Sequence, residues 1–204
     1  MPNTFFADLV TLLVVLNPIA KLPIFLAMTA GLERPVRDRV ALNATLISFG
    51  ILLFFIVAGQ VLLEALGVGL NSFRLAGALV LLLFALKMIF DTMPPPPPPG
   101  DDVSPLERAI FPLAMPSIAG PGSMLTVVVL TDNARFSIAE QAMTTLALAL
   151  GLVMVFLTMR LATPLVHVLR RPGIAIISRV MGLILAALAV DGMVRAGGAI
   201  VRGW

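Results

Sequence analysis

Six long apolar stretches divide this 204-residue chain, and they constrain its fold more than any other feature. They occupy residues 5–30, 41–63, 73–90, 106–131, 142–168 and 174–200. Each is long enough for a helix to cross a bilayer core of about 30 Å. Backbone N–H and C=O groups inside lipid must be paired within the protein, so the sequence predicts an all-α integral membrane protein with six transmembrane helices. The alternating pattern of a membrane β-barrel is absent.

Composition agrees with a membrane protein and excludes several functions. The chain is 59% hydrophobic and 12% charged, whereas a soluble domain carries about 25% charged residues. It has no cysteine and one histidine, His167, which excludes thiolate and multi-histidine metal sites; no metal and no cofactor are expected. Its basic residues are scattered along the chain, which argues against a nucleic-acid partner.

Basic residues around the apolar stretches predict the orientation of the chain, because Lys and Arg collect on the cytoplasmic side. Nine lie on the side that follows stretches one, three and five: Arg34, Arg37, Arg39, Lys87, Arg108, Arg160, Arg170, Arg171 and Arg179. Four lie on the other side: Arg74, Arg135, Arg195 and Arg202. Both termini are therefore expected on the periplasmic side. No positive charge precedes the first apolar run, so a cleaved signal peptide is not expected.

Two motifs recur in the same order in both halves of the chain. A P-x4-P motif at Pro18 and Pro23 recurs 98 positions later at Pro116 and Pro121. An R-x-x-G motif occurs at residues 74–77 and again at residues 179–182. With three spans in each half, the second half enters the membrane from the opposite side. The sequence therefore predicts two inverted three-helix repeats, an architecture of many secondary transporters.

These repeats are expected to form one membrane domain, residues 1–204, made of a first repeat at 1–91, a proline-rich linker at 92–104 and a second repeat at 105–204. The linker contains six consecutive prolines, Pro94 to Pro99, which indicate a stiff spacer or, alternatively, a docking site for a proline-recognising partner. Ser104, Pro105 and Glu107 then predict a helix start.

The paired prolines predict that the first helix of each repeat is broken at its P-x4-P motif, since a helix-interior proline removes a hydrogen bond and clashes with the preceding turn. Half-helices that begin at the two breaks would direct positive ends at one site, and freed carbonyls could accept from an ammonium. That combination fits a small zwitterion. The substrate-binding candidates are Asn17, Pro18, Lys21, Pro23, Pro116, Ser117, Gly120, Pro121, Gly122 and Ser123. Alternatively, the prolines only kink two packed helices.

Charged residues inside or near the spans are candidates for coupling or gating. Lys21 is expected to contact substrate or replace a coupling cation, or alternatively to extend toward the inner surface. Arg74 and Arg179 begin their helices and are gating candidates or interfacial anchors. Asp191 is a proton-coupling candidate, or the partner of Arg195 in an ion pair at a helix end.

Four segments resemble the MarC family of bacterial inner-membrane proteins over nearly the whole chain. They are Asn17-Pro18-Ile19 with Pro23, residues 73–77, residues 118–122 and residues 179–183. The resemblance implies a multi-pass protein of the bacterial inner membrane, related to lysine exporters, that moves small neutral amino acids such as glycine and alanine. The family commonly has Gly-Asn where Ala20-Lys21 stands here, and Gln in place of Asp191.

These features bear on three classes of function. A secondary transporter of small neutral amino acids by alternating access is the expected function, with a membrane channel or a non-transporting structural or regulatory protein as the alternative. An enzyme is not expected, because no catalytic cluster is visible. The expected partners are a small-molecule substrate and the lipid bilayer. Small residues at Gly192, Ala196 and Gly197 would also allow close contact in a homo-oligomer.

Overall fold

The computed structural model describes residues 4–90, 103–133 and 136–202, and this part of the chain is helical without strands. The helices are α1 (Thr4–Leu16), α2 (Leu22–Met28), α3 (Arg34–Ala65), α4 (Leu70–Ile89), α5 (Pro105–Arg108), α6 (Pro121–Leu130), α7 (Ile138–Arg160) and α8 (Ala162–Arg202). A 3-10 helix at Pro18–Lys21 joins α1 to α2, and a π-helical segment at Ala109–Ile118 follows α5. The proline tract 94–99 and the side chain of His167 lie outside the described residues.

Five helical segments are long and apolar enough to cross a membrane: Phe5–Met28, Arg34–Ala65, Asn71–Ile89, Ile138–Arg160 and Arg179–Arg202. A sixth span is reached if Pro105–Ile118 and Pro121–Leu130 count as one, and these two pieces are bent by 58° at their junction. The described chain is thus an all-α membrane protein with five to six apolar spans.

Helix ends follow local rules of capping and proline placement. Ser104 and Glu107 form a reciprocal capping box at the start of α5, which confirms the helix start predicted there. Ser137 and Glu140 form a second capping box at the start of α7, which the sequence analysis did not identify. These caps satisfy backbone N–H groups that have no partner within the helix.

The structure differs from the predicted boundaries in the last two spans. The fifth apolar stretch was expected to run to residue 168, but α7 ends at Arg160 and α8 begins at Ala162. Pro164 fits the new boundary, because a proline is tolerated in the first turn of a helix. The 41-residue α8 then continues without interruption through the expected gap near residue 170.

Close helix packing centres on small residues. Helix α4 packs along α8, α1 along α7, and α3 along both α7 and the segment that contains the second proline motif. A Cβ atom at Gly77 would lie 2.4 Å from the Leu125 side chain of α6, and one at Gly182 would lie 3.1 Å from the carbonyl oxygen of Ala85. The glycines of both R-x-x-G motifs therefore allow a neighbouring helix to approach closely.

Charged side chains collect at the two ends of the bundle. At one end, Arg37 donates to Thr163 at 3.2 Å and Arg160 lies 3.5 Å from Asp38. Arg108 donates to the carbonyl oxygen of Met28 at the same end. These arginines belong to the nine residues that the charge count assigned to one side of the membrane.

Candidate functional site

Asn17 and Pro18 interrupt the first span. The residue before a proline disfavours the α conformation, and Asn17 adopts a left-handed one with φ 44°. Its side-chain oxygen accepts from the backbone N–H of Ala20 at 3.4 Å and caps the 3-10 turn. Its amide nitrogen lies 3.9 Å from the sulfur of Met88 on α4. We call residues Asn17–Lys21 the first break. Asn17 and Lys21 are buried there, and Pro18 is half-buried. Pro23 lies just after the break and is exposed.

A second interruption lies between α5 and α6. Phe111 and Met115 each precede a proline, and both have extended backbone angles near φ −127° and ψ 127° within the π-helical segment. Pro112, which the sequence analysis did not single out, thus contributes alongside Pro116. We call residues Pro116–Gly120 the second break.

Gly120 and Ser123 hold the second break in shape. A Cβ atom at Gly120 would lie 2.4 Å from the carbonyl oxygen of Pro116, so the backbone closes on itself too tightly for any side chain. The Ser123 hydroxyl donates to the carbonyl oxygen of Ile118 at 2.8 Å, which pairs a carbonyl that the interrupted helix has lost. Pro121 then begins α6, whose first turn has no side-chain cap.

Lys21 brings the two breaks together. Its side chain is 4% exposed, and its ammonium donates to the carbonyl oxygen of Ser117. The ammonium also lies 5.8 Å from the centre of the Phe84 ring on α4. The side chain therefore ends inside the bundle, in contact with the second break, and does not extend to the inner surface.

Gly122 lies against α4. A Cβ atom at this position would be 2.8 Å from the Leu81 side chain and 4.0 Å from that of Val15. The glycine therefore keeps α4 and α1 close to the start of α6 and leaves little volume beside the breaks. Pro116 and Pro121 are exposed.

The coupling and gating candidates lie elsewhere. Arg74 forms a 2.8 Å ion pair with Asp132, which follows α6, and donates to Asn71 at 3.3 Å. Asp191 pairs with Arg195 at 2.7 Å on the exposed surface of α8. Neither Arg74 nor Asp191 contacts the breaks, and Arg179 is exposed on α8.

Gln60 extends the cluster around Arg74. Its amide donates to Asp132 at 3.3 Å and accepts from the backbone N–H of Asn133 at 3.1 Å. The Nε atom of Arg74 is buried and has no acceptor among the described residues. This cluster joins the ends of α3, α4 and α6 opposite the arginine-rich end.

Asp8, Asp132 and Arg108 are buried charged residues that the sequence analysis did not select. Asp8 lies in α1, is 7% exposed and accepts a 2.5 Å hydrogen bond from the Thr144 hydroxyl of α7. An acid within the first apolar stretch is itself a signal, because ionisable residues in spans are costly unless they serve a purpose. The partners of Asp132 and Arg108 come from distant parts of the chain, so no local pattern identifies them.

A cavity of about 320 Å³ opens at the arginine-rich end. It lies between α2, the start of α3 and the junction of α7 with α8, and its lining includes Phe25, Arg34, Arg37, Asp38, Arg160 and Thr163. Within the described ranges, no group of three His, Cys, Asp or Glu side chains is placed to hold a metal ion.

Known proteins resemble this chain over nearly its whole length. UPF0056 membrane proteins are 33% identical in Methanocaldococcus jannaschii, over 87% of both chains, and 34% identical in Buchnera aphidicola, over 89% of this chain and 86% of the relative. The UPF0056 membrane protein YhcE of Escherichia coli is 30% identical over 92% and 88%. No solved structure matches significantly. A family model described as "MarC family integral membrane protein" matches residues 2–200, and the chain therefore belongs to the MarC family of integral membrane proteins.

Proposed function

We propose that this protein is a secondary transporter of small neutral amino acids, glycine- or alanine-like zwitterions, and that the two breaks form its substrate site. The contact between the Lys21 ammonium and the Ser117 carbonyl is the observation that carries this proposal, because it joins two interrupted spans inside the bundle. Irregular backbone is tolerated at membrane depth where it is buried in protein or lines a cavity.

The groups at the breaks match both ends of a zwitterion. Positive charge from Lys21 and the uncapped start of the ten-residue α6 favour a carboxylate. Helix α2 has only seven residues, so α6 contributes the main helix end, rather than two equal ends as the sequence predicted. Freed carbonyls and the Asn17 side chain are acceptors for a substrate ammonium.

The proposed site suits a small solute. The Pro116 carbonyl leaves no room for a side chain at Gly120, and the Leu81 side chain leaves little room for one at Gly122. This close packing favours substrates with small side chains, such as glycine and alanine. Pro18, Pro23, Pro116 and Pro121 are assigned the role of keeping the backbone irregular, and Ser117 and Ser123 supply neutral polar groups.

Helix packing supports the proposed inverted repeat. If spans one, two and three correspond to spans four, five and six, the contact of α1 with α7 corresponds to that of the Ala109–Ile118 segment with α3. The contact of α4 with α6 corresponds likewise to that of α8 with the first break. The remaining major pairs are α4 with α8 and α3 with α7. Each joins a span to its equivalent in the other repeat, so the exchange of the two repeats leaves the pair unchanged. Such a pattern is expected for repeats related by a two-fold axis in the membrane plane.

Two further features belong to the proposal. The arginine-rich end is assigned to the cytoplasm, which places both termini in the periplasm of a bacterial inner membrane. The protein is assigned transport rather than catalysis, with no cofactor.

Counterflow in proteoliposomes tests the proposal. Purified protein is reconstituted with unlabelled glycine or alanine inside and traces of labelled amino acid outside. We expect saturable, transient accumulation of labelled glycine and alanine, and weak accumulation of leucine and lysine. Flux without saturation or counterflow would indicate a channel and contradict the proposal, as would the absence of flux for every amino acid.

A further inference from the structure

Within the part of the chain that the structure describes, the buried ammonium of Lys21 has no carboxylate partner. Ion pairs in the described residues join Arg74 to Asp132, Arg160 to Asp38 and Arg195 to Asp191, and none includes Lys21. A buried charge without a counter-ion is costly unless other groups replace its hydration. Lys21 must therefore be stabilised by dipoles and by whatever binds beside it.

The groups around this ammonium are those that a small monovalent cation takes as ligands. One is the backbone carbonyl of Ser117, freed by the second break, and another is the face of the Phe84 ring at 5.8 Å. Carbonyls of unwound transmembrane segments provide ligands for coupling cations in transporters of known architecture.

Two of the three N–H donors of Lys21 remain available. The ammonium donates to Ser117, and the part of the chain that the structure describes provides no second acceptor. Ser117 lies four residues before Pro121, which begins α6, the element already assigned to the substrate carboxylate. A substrate carboxylate bound there would complete the coordination of the ammonium and neutralise its charge.

We propose that the Lys21 ammonium is a built-in cation of the transport site, which occupies the place of an exchangeable monovalent cation, so that transport by this chain needs no coupling cation. This inference rests on the proposed transport function. A tethered cation that keeps its proton cannot be released on the other side of the membrane and therefore cannot transmit the energy of an ion gradient. Net movement then follows the gradient of the amino acid alone.

Removal of the side chain provides the test. In Lys21→Ala the carbonyl ligands remain and the ammonium is lost. With N-methylglucamine as the only cation in the buffer, transport by this variant should be about tenfold or more slower than transport by the wild type. Sodium, lithium, potassium or ethylammonium should then restore transport in a saturable manner. In Lys21→Met the apolar stem still fills the space, so no cation should restore transport.

The controls are the wild type and Lys87→Ala. Lys87 is the other lysine of the chain and is exposed on α4. For each of these two proteins, the transport rate should be the same in every one of these cations. It should also be the same with and without a proton gradient. A wild type that requires sodium or a proton gradient would overturn the inference, as would Lys21→Met with native transport.

Thermal unfolding without amino acid separates this inference from the proposed function. The same cations should raise the melting temperature of purified Lys21→Ala and leave those of the wild type and Lys21→Met unchanged. This readout applies even if the wild type carries none of the amino acids tested. If no cation changes either the stability or the transport of Lys21→Ala, the built-in cation is refuted.

Discussion

Arg74 donates to Asp132 across 2.8 Å, and this pair joins α4 to the chain that follows α6. The Asp132 side chain is 4% exposed and that of Arg74 is 15% exposed, whereas the Asp191–Arg195 pair on α8 is 57% and 79% exposed. These two ion pairs therefore allow a direct comparison between a shielded pair and an exposed pair.

Asp132→Asn should destabilise the protein much more than Asp191→Asn. Removing one partner of a shielded pair leaves a charge unpaired and costs on the order of 3 kcal/mol. Exposed pairs contribute about 0.5 kcal/mol. Thermal unfolding of the two variants in detergent, beside the wild type, measures the difference. Equal shifts in melting temperature would show that the Arg74 cluster does not hold the helix ends together.

Asn17 provides both a left-handed backbone and a polar side chain, and two variants separate these roles. Asn17→Gly keeps the backbone freedom and removes the amide, whereas Asn17→Ala also strains a residue with φ 44°. If the amide contacts substrate, Asn17→Gly should weaken binding by about 1–2 kcal/mol, or roughly 5- to 30-fold. The KM for counterflow reports this loss. A native KM for Asn17→Gly would assign Asn17 a purely structural role.

Local sequence rules predict the two breaks but not the contact between them. The interruption at Asn17 and Pro18 follows from proline chemistry alone, and so does the irregular backbone at Met115 and Pro116. The contact between Lys21 and Ser117 joins residues 96 positions apart, so it depends on how the spans pack. Pro164 is a local signal for the start of α8, but the apolar pattern continues past it to residue 168 and does not mark the boundary.

The glycines of the second break should respond differently to a methyl group. In Gly120→Ala the new atom meets the backbone carbonyl of Pro116, which cannot move aside. In Gly122→Ala it meets the end of the Leu81 side chain, which can rotate. We therefore expect a larger loss of melting temperature and of transport for Gly120→Ala. The reverse order would contradict the packing at this break.

Gly122→Leu is expected to abolish transport, and Leu81→Ala provides the control. Gly122 packs against Leu81, so the single variant Gly122→Leu disturbs both the helix packing and the proposed site. Its loss of transport could therefore come from either effect. The double variant should regain stability because the smaller residue at position 81 makes room for the new side chain. If the double variant is stable and transports glycine at the native rate, the space beside Gly122 is not part of the site.

Single cysteines can establish the orientation, since the natural chain contains none. A cysteine at Pro35, in the arginine-rich end, should be inaccessible to a membrane-impermeant thiol reagent applied from outside cells. A cysteine at Ser72, exposed near the opposite end of α4, should react. Reaction at position 35 alone would reverse the assigned topology and place both termini in the cytoplasm.

Protection of Ser117→Cys by substrate tests the central claim that the two breaks form the binding site. Ser117 is half-buried in the second break, and Ser72→Cys supplies a matched exposed control far from it. Reaction of each single cysteine with a small thiol reagent is followed in proteoliposomes at increasing concentrations of glycine or alanine. We predict that these amino acids slow the reaction at position 117 in a saturable manner and leave position 72 unaffected. Unchanged reactivity at position 117, at concentrations that saturate counterflow, would contradict the assignment of the site.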